Sequence, residues 1–217
     1  MNSRITMNKK EILIIIISII VLGFIIALSK DLEDFSTNLL YGFLFVFIIL
    51  LVNILAKKLI AYYLDSEIEI KLWEIQRFGY RAHWKFKKPI PAGVIFPIVF
   101  AVISTGYIKW LATLVFDVKA SVHRAARRYG IYSFSEITEY HMALIAGAGI
   151  IMNLIVAVIA YLLGYEEFTR LSIYFVFFNM LPISDLDGNK IFFGSLIFWS
   201  FLAAISLIAM GYALFLI

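Results

Sequence analysis

The sequence predicts an all-α polytopic membrane protein carrying a small cytoplasmic β-hairpin, and three observations lead there. Of its 217 residues, 63% are hydrophobic and only 16% charged, against about one half and one quarter in a soluble domain. Several apolar runs approach the roughly 20 residues that a helix needs to cross a bilayer. One stretch between them alternates apolar and charged residues with period two, the pattern of a strand. An apolar surplus this large has no room inside so small a core, so it must face lipid.

The first run, Glu11 to Ser29, follows a basic start of Arg4, Lys9 and Lys10. Its length favours a retained anchor over a cleaved signal peptide, whose apolar region spans only about 7 to 15 residues. Leu39 to Leu64 is the second span, and His141 to Gly164, Thr169 to Leu181 and Ser195 to Ile217 are three more. The middle one of these is short and runs into a polar turn, as spans that end inside a protein do. Pro89 to Val118 is broken by Pro91, Gly93, Pro97 and Ser104-Thr105-Gly106 into two pieces, each short for a crossing.

Lysine and arginine mark the cytoplasmic side. Lys57, Lys58, Lys71, Arg77, Arg81, Lys85, Lys87 and Lys88 precede Pro89, and Lys119, Arg124, Arg127 and Arg128 precede His141. The loops with Asp31, Glu33, Asp34, Glu166 and Glu167 are acidic and fall outside. This places the N-terminus in the cytoplasm of a cell-membrane protein. Because both ends of residues 89–118 carry the inside signature, that stretch reads as a membrane-embedded hairpin, with a single tilted crossing as the alternative.

Glu67 to Ile75 alternates apolar and charged side chains, and Tyr80 to Phe86 supplies a second strand after the turn material Arg77-Phe78-Gly79. The expectation is a β-hairpin over about 67–86. No repeat or linker divides the chain, so residues 1–217 read as one domain. Tyr62, Tyr63, Trp73, Trp84, Trp110 and Trp199 read as an interfacial aromatic belt.

The absence of cysteine removes disulfides, thiolate metal sites and cysteine nucleophiles. The basic residues lie between apolar runs and form no stripe with stacking aromatics, which excludes a nucleic-acid partner. The partners expected are the bilayer and transmembrane segments of other proteins. Arg124, Arg127, Arg128, Lys87 and Lys88 suit inside anchoring or contact with anionic headgroups.

One polar segment carries chemistry: Asn179-Met180-Leu181-Pro182-Ile183-Ser184-Asp185-Leu186-Asp187-Gly188, where an outside-to-inside span ends. A charge at membrane depth costs about 2.5 to 3.5 kcal/mol on insertion scales, so such groups have partners or roles. A solvated turn is the plain alternative for Asp185 and Asp187. Asn153 and Asn179 read as interhelical glue or as contacts to an extended substrate.

Asn-x-x-Pro followed by Leu-Asp-Gly resembles the third-ligand motif of the site-2 protease family of intramembrane zinc proteases. Ala146-Gly147-Ala148-Gly149 and Asn153 resemble the small-residue and Asn pattern of the preceding span, although Ala148 or Gly149 stands where a proline is common. The resemblance, from about Leu39 to Ser195, implies a site-2 protease-like transmembrane core in which Asp187 matches the third zinc ligand. It also implies a His-Glu-x-x-His motif at the end of the second span, before the strand containing Trp73. There the chain has Asn53-Ile54-Leu55-Ala56-Lys57. The positions of both histidines and the glutamate, Asn53, Lys57 and Ile54, are degenerate. No intact catalytic residue, no metal and no cofactor are then expected.

The degenerate motif on an otherwise similar core implies a proteolytically inactive homologue that binds or presents membrane-embedded partners. Two alternatives stand: an active zinc endopeptidase with unconventional ligands, such as His141 with Asp185 and Asp187, or a small transporter or lipid-handling protein. His83, His123 and His141 otherwise read as solvated or interfacial. The resemblance also brings Lys57 and Asp187 together, an ion pair replacing a metal link. The competing placement has Lys57 snorkelling to the interface beside Lys58.

Overall fold

The computed structural model describes residues 8–28, 35–77, 85–104, 106, 109–120 and 137–215. In chain order the elements are α1 (Lys9–Leu28), α2 (Phe35–Tyr63), β1 (Ser66–Leu72), β2 (Ile75–Arg77), β3 (Lys85–Ile90), α3 (Ala92–Ile103), β4 (Leu114–Ala120), α4 (Glu139–Leu162), α5 (Glu166–Asn179), α6 (Asp187–Gly194) and α7 (Leu196–Phe215). Helices α1, α2, α4 and α7 are long and apolar enough to cross a membrane. At 1.5 Å per residue the shortest of them, with 20 residues, measures about 30 Å. The protein is a membrane protein built on these four helices.

Helix α5 explains why a short apolar segment is stable. Its 14 residues are too few to span comfortably, yet Phe168, Leu171, Ile173, Tyr174, Phe175, Val176 and Phe178 are all buried. From Leu171 to Val176 every successive residue is buried, so neighbours enclose the helix on all sides, as they do a helix inside a structure. It packs on α4 and is covered by α7, while α2 and α4 pack together and α1 lies against α2. Small residues allow close approach: a methyl on Gly42 would come within 2.9 Å of Gly23 O where α1 and α2 cross. Such small-residue contacts are how helices associate in lipid, where hydrophobicity gives no drive between them.

The sheet differs from the expected hairpin. β1 pairs antiparallel with β4, from Ser66↔Ala120 to Leu72↔Leu114, and not with the described part of the expected partner, Lys85 and Phe86. β2 pairs instead with β3, Ile75↔Ile90 and Arg77↔Lys85. Phe86 thus belongs to β3, whereas Tyr80 to Trp84 lie outside the described residues. In this register Glu69 faces Asp117, and two diagonal contacts offset the like charges: Lys71 Nζ lies 2.5 Å from Asp117 Oδ2, and Lys119 Nζ 3.0 Å from Glu69 Oε2. Leu114–Val118, expected in the membrane-embedded stretch, is therefore strand.

Between β3 and β4 the chain goes out and comes back. Gly93 N–H donates to Trp73 O and Trp73 N–H donates to Thr113 O, both at 2.8 Å, so the two ends of 93–113 lie side by side. A methyl on Gly93 would strike Thr113 O, which is why this position has no side chain. α3, with 12 residues, is about 18 Å long and too short to cross.

Two tryptophans expected in an interfacial belt are core residues. Trp73 and Trp110 are buried, stacked with centroids 6.0 Å apart, and Trp110 also packs on Phe100 and Phe178. Stacking among large aromatics adds to the gain from their burial and pins the returning segment to α5. Tyr62 and Tyr63 are exposed and Trp199 is half-buried, while Trp84 lies outside the described residues.

Candidate functional site

The site forms where α2, α4 and α6 meet. Asn53 and Lys57 are four residues apart on α2 and so share one face. Gly149 and Asn153 stand in the same relation on α4. A methyl on Gly149 would come within 2.6 Å of Asn53 Nδ2 and 2.7 Å of Lys57 Cε. The bare glycine thus lets the polar face of α2 lie against α4.

The third wall comes from the turn before α6. Met180 ends α5, and Ser184 adopts a left-handed conformation at φ 50°. Asn189 Nδ2 donates to Ser184 O and braces the turn. Each residue of Leu186-Asp187-Gly188 then has a packing reason. Leu186 is fully buried. Asp187 is the first residue of α6, where a carboxylate meets the positive end of the helix dipole. At Gly188 a side chain would strike Met180 O.

Lys57 Nζ lies 2.6 Å from Asp187 Oδ2, with side-chain exposures of 4% and 0%. Lys57 is therefore inside, and snorkelling is not its placement. Its ammonium also sits 5.0 Å from the Phe116 ring centroid, and Lys190 Nζ sits 4.5 Å from the same centroid. β4 thereby presents one aromatic ring to two cations. Lys190 Nζ donates to Asp185 O at 2.5 Å. Burial pushes its ammonium pKa down, Asp187 opposes that, and Lys57 adds to it.

The buried polar groups are incompletely satisfied. Asp187 Oδ1, Asn53 Nδ2 and Asn153 Oδ1 have no hydrogen-bond partner among the described residues. The amide N–H groups of Asn153 and Asn179 turn back onto their own helices, to Gly149 O at 3.3 Å and Phe175 O at 2.9 Å. Ile54 points into the apolar core.

The residues do not fit a zinc ion. Zinc at a catalytic site takes three nitrogen, oxygen or sulfur ligands from the protein. Asp187 offers one carboxylate, already against an ammonium; Asn53 offers an amide and Ile54 nothing. Among the described residues no three of His, Cys, Asp and Glu come together in a metal-binding group. The relocated arrangement of His141, Asp185 and Asp187 accordingly does not form. Asp185 is exposed while Asp187 is inside. His83 and His123 lie outside the described residues.

A second buried ion pair lies beyond what the sequence reading foresees. Lys58 Nζ donates to Glu11 Oε2 at 3.1 Å, Asn8 N–H to the same oxygen at 3.0 Å, and Ile70 N–H to Glu11 Oε1 at 2.9 Å. Glu11 and Lys58 are 3% and 6% exposed. One carboxylate thus joins α1, α2 and β1. Its signal in the sequence is an acid beside an apolar run, where an unpartnered charge is costly.

Fold and site together define a polytopic membrane protein with a buried lysine–carboxylate junction between three helices. Comparison of the chain with protein-family models, with curated proteins and with solved structures returns no match.

Proposed function

We propose that this protein is a noncatalytic relative of the site-2 protease fold that binds or presents membrane-embedded partners. The observation that carries the proposal is the 2.6 Å contact of Lys57 with Asp187. The motif resemblance puts a metal ligand at Asp187 and a histidine at position 57. An ammonium at that place neutralises the carboxylate that a dication would otherwise bind, and holds α2 to α6 without a metal. In this reading the N-terminus is cytoplasmic, the protein resides in the cell membrane, and α3 dips into the membrane from the cytoplasmic side.

A groove supports the binding role. At the end of α2 remote from Lys57, α2 and α4 part to leave a cavity of about 900 Å³ lined by Tyr41, Leu44, Phe45, Ile48, Val156 and Ile159, among others. Its lining is largely apolar, as suits a segment that lives in lipid.

The test is metal analysis of the purified protein and of the variant Asn53→His, Ile54→Glu, Lys57→His. Wild type is expected to carry no stoichiometric transition metal and to be indifferent to chelators. The triple variant should take up about one zinc per chain, three protein ligands being enough for such a site. A metal bound at Asp187 in wild type overturns the noncatalytic reading. A folded triple variant that ignores zinc overturns the assignment of the helix.

A further inference from the structure

Strands β2 and β3 form a two-stranded sheet of their own. In β3, Lys85 through Pro89 are all exposed. Lys85, Lys87 and Lys88 form no ion pair with a carboxylate among the described residues. Three exposed cations on one short strand need a solvent or a partner that welcomes positive charge.

The chain then passes through Pro91 directly into α3. Ile95, Ile98, Val99, Val102 and Ile103 are exposed there, the last two at 72% and 78%. They follow the spacing i, i+3, i+4, i+7, i+8, a single apolar stripe on one helical face. α3 also contacts α1, and its Phe96 and Phe100 pack on Trp110. A cationic strand joined to an unpartnered apolar stripe has the amphiphilic profile of an element lying in the membrane interface, stripe toward the acyl chains and lysines at phosphate depth.

We infer that β3 and α3 form a headgroup-binding paddle that selects anionic phospholipid, with Lys85, Lys87 and Lys88 on the phosphates and the α3 stripe in the acyl layer. The inference rests on the membrane character of the chain and not on the noncatalytic reading. Each lysine close to an anionic surface contributes attraction equivalent to roughly a fivefold change in association constant, screened by salt.

The chain has no cysteine, so a single one can carry a reporter. The full chain with Phe86→Cys, labelled with an environment-sensitive fluorophore, is reconstituted in phosphatidylcholine vesicles with or without phosphatidylglycerol. Quenching by headgroup spin-labelled lipid is then compared between anionic and zwitterionic quenchers. The paddle predicts preferential quenching by the anionic lipid. The preference should fall about fivefold for each of Lys85→Gln, Lys87→Gln and Lys88→Gln, and should vanish in high salt. A label at Ile98→Cys should be quenched by acyl-chain probes and shielded from aqueous iodide in every variant. This second label also shows that the lysine variants keep α3 in place. Equal quenching in the two lipid mixtures, indifference to the three lysines, or an iodide-accessible Ile98 label each overturns the inference. The last result would point to a protein partner on the stripe.

Discussion

Adjacent lysines on α2 enter two buried ion pairs of different quality. Glu11, facing Lys58, receives three donors shared between both its oxygens. Asp187, facing Lys57, receives the ammonium on Oδ2 while Oδ1 has no partner among the described residues. The first carboxylate is used as a structural clamp on three elements. The second is held by one contact in a setting with unpaired amide groups nearby. A buried charge needs full hydrogen bonding to offset desolvation, and of the two carboxylates Glu11 comes closer to having it.

The largest effects should come from breaking each pair on one side. Glu11→Ala strands the Lys58 ammonium and removes the acceptor of Ile70 N–H. It should cost about 3 to 5 kcal/mol for the ion and about 1 to 3 kcal/mol more for the buried amide, read by reversible unfolding in detergent or bicelles. Lys57→Ala leaves Asp187 alone and should cost about 3 to 5 kcal/mol. If Glu11→Ala proves milder than Lys57→Ala, the contrast between clamp and junction is wrong.

Replacing both partners by apolar residues separates the two pairs further. Lys57→Met with Asp187→Leu should fall within about 1 kcal/mol of wild type, since well-packed apolar pairs often match buried ion pairs. Lys58→Met with Glu11→Leu should still lose about 1 to 3 kcal/mol, because Ile70 N–H keeps no acceptor. Equal outcomes for the two doubles would remove the distinction.

Gly149→Ala should cost about 1 to 3 kcal/mol through overpacking at the α2–α4 crossing. The added methyl meets Asn53 and Lys57 side chains, so the same unfolding assay should show partial recovery in combination with Asn53→Ala. Without such recovery the clash lies elsewhere.

The smallest effect belongs to the exposed pairs of the β1–β4 sheet. The hydrogen bond and charge of Lys119 hold the Glu69 carboxyl below its usual range. Its contribution is present above the unfolded carboxylate range near about 4.3 and is lost as pH falls through the lower folded value. Asp117 raises the Lys71 ammonium pKa in the same way, so that contribution holds below about 10.4 and is lost as pH rises through the higher folded value. Hydrogen exchange of the strand amides should show both as slight, salt-sensitive changes.

The long helices were legible because an apolar run that must face lipid has few alternatives. Helix α1 begins at Lys9, two residues before the expected Glu11, and α2 at Phe35 rather than Leu39. The strand partner was not legible. β1 and β4 lie more than forty residues apart, and Leu114–Val118 is as apolar as a membrane segment, so its pairing depended on tertiary context. Helix α6 was hidden because Asp187–Gly194 offers little more than two turns of period. The juxtaposition of Lys57 with Asp187 followed from a motif resemblance. Glu11 had only the rule that a charge at a span needs a partner, and that rule does not name Lys58.

Whether the ammonium of Lys57 and the carboxylate of Asp187 stabilise each other inside the molecule decides the nature of the junction, and a double-mutant cycle with Lys57→Ala and Asp187→Ala reads that coupling without intermediaries. A strong favourable coupling is predicted, with the double variant clearly less damaged than the sum of the singles. Strictly additive losses would contradict it.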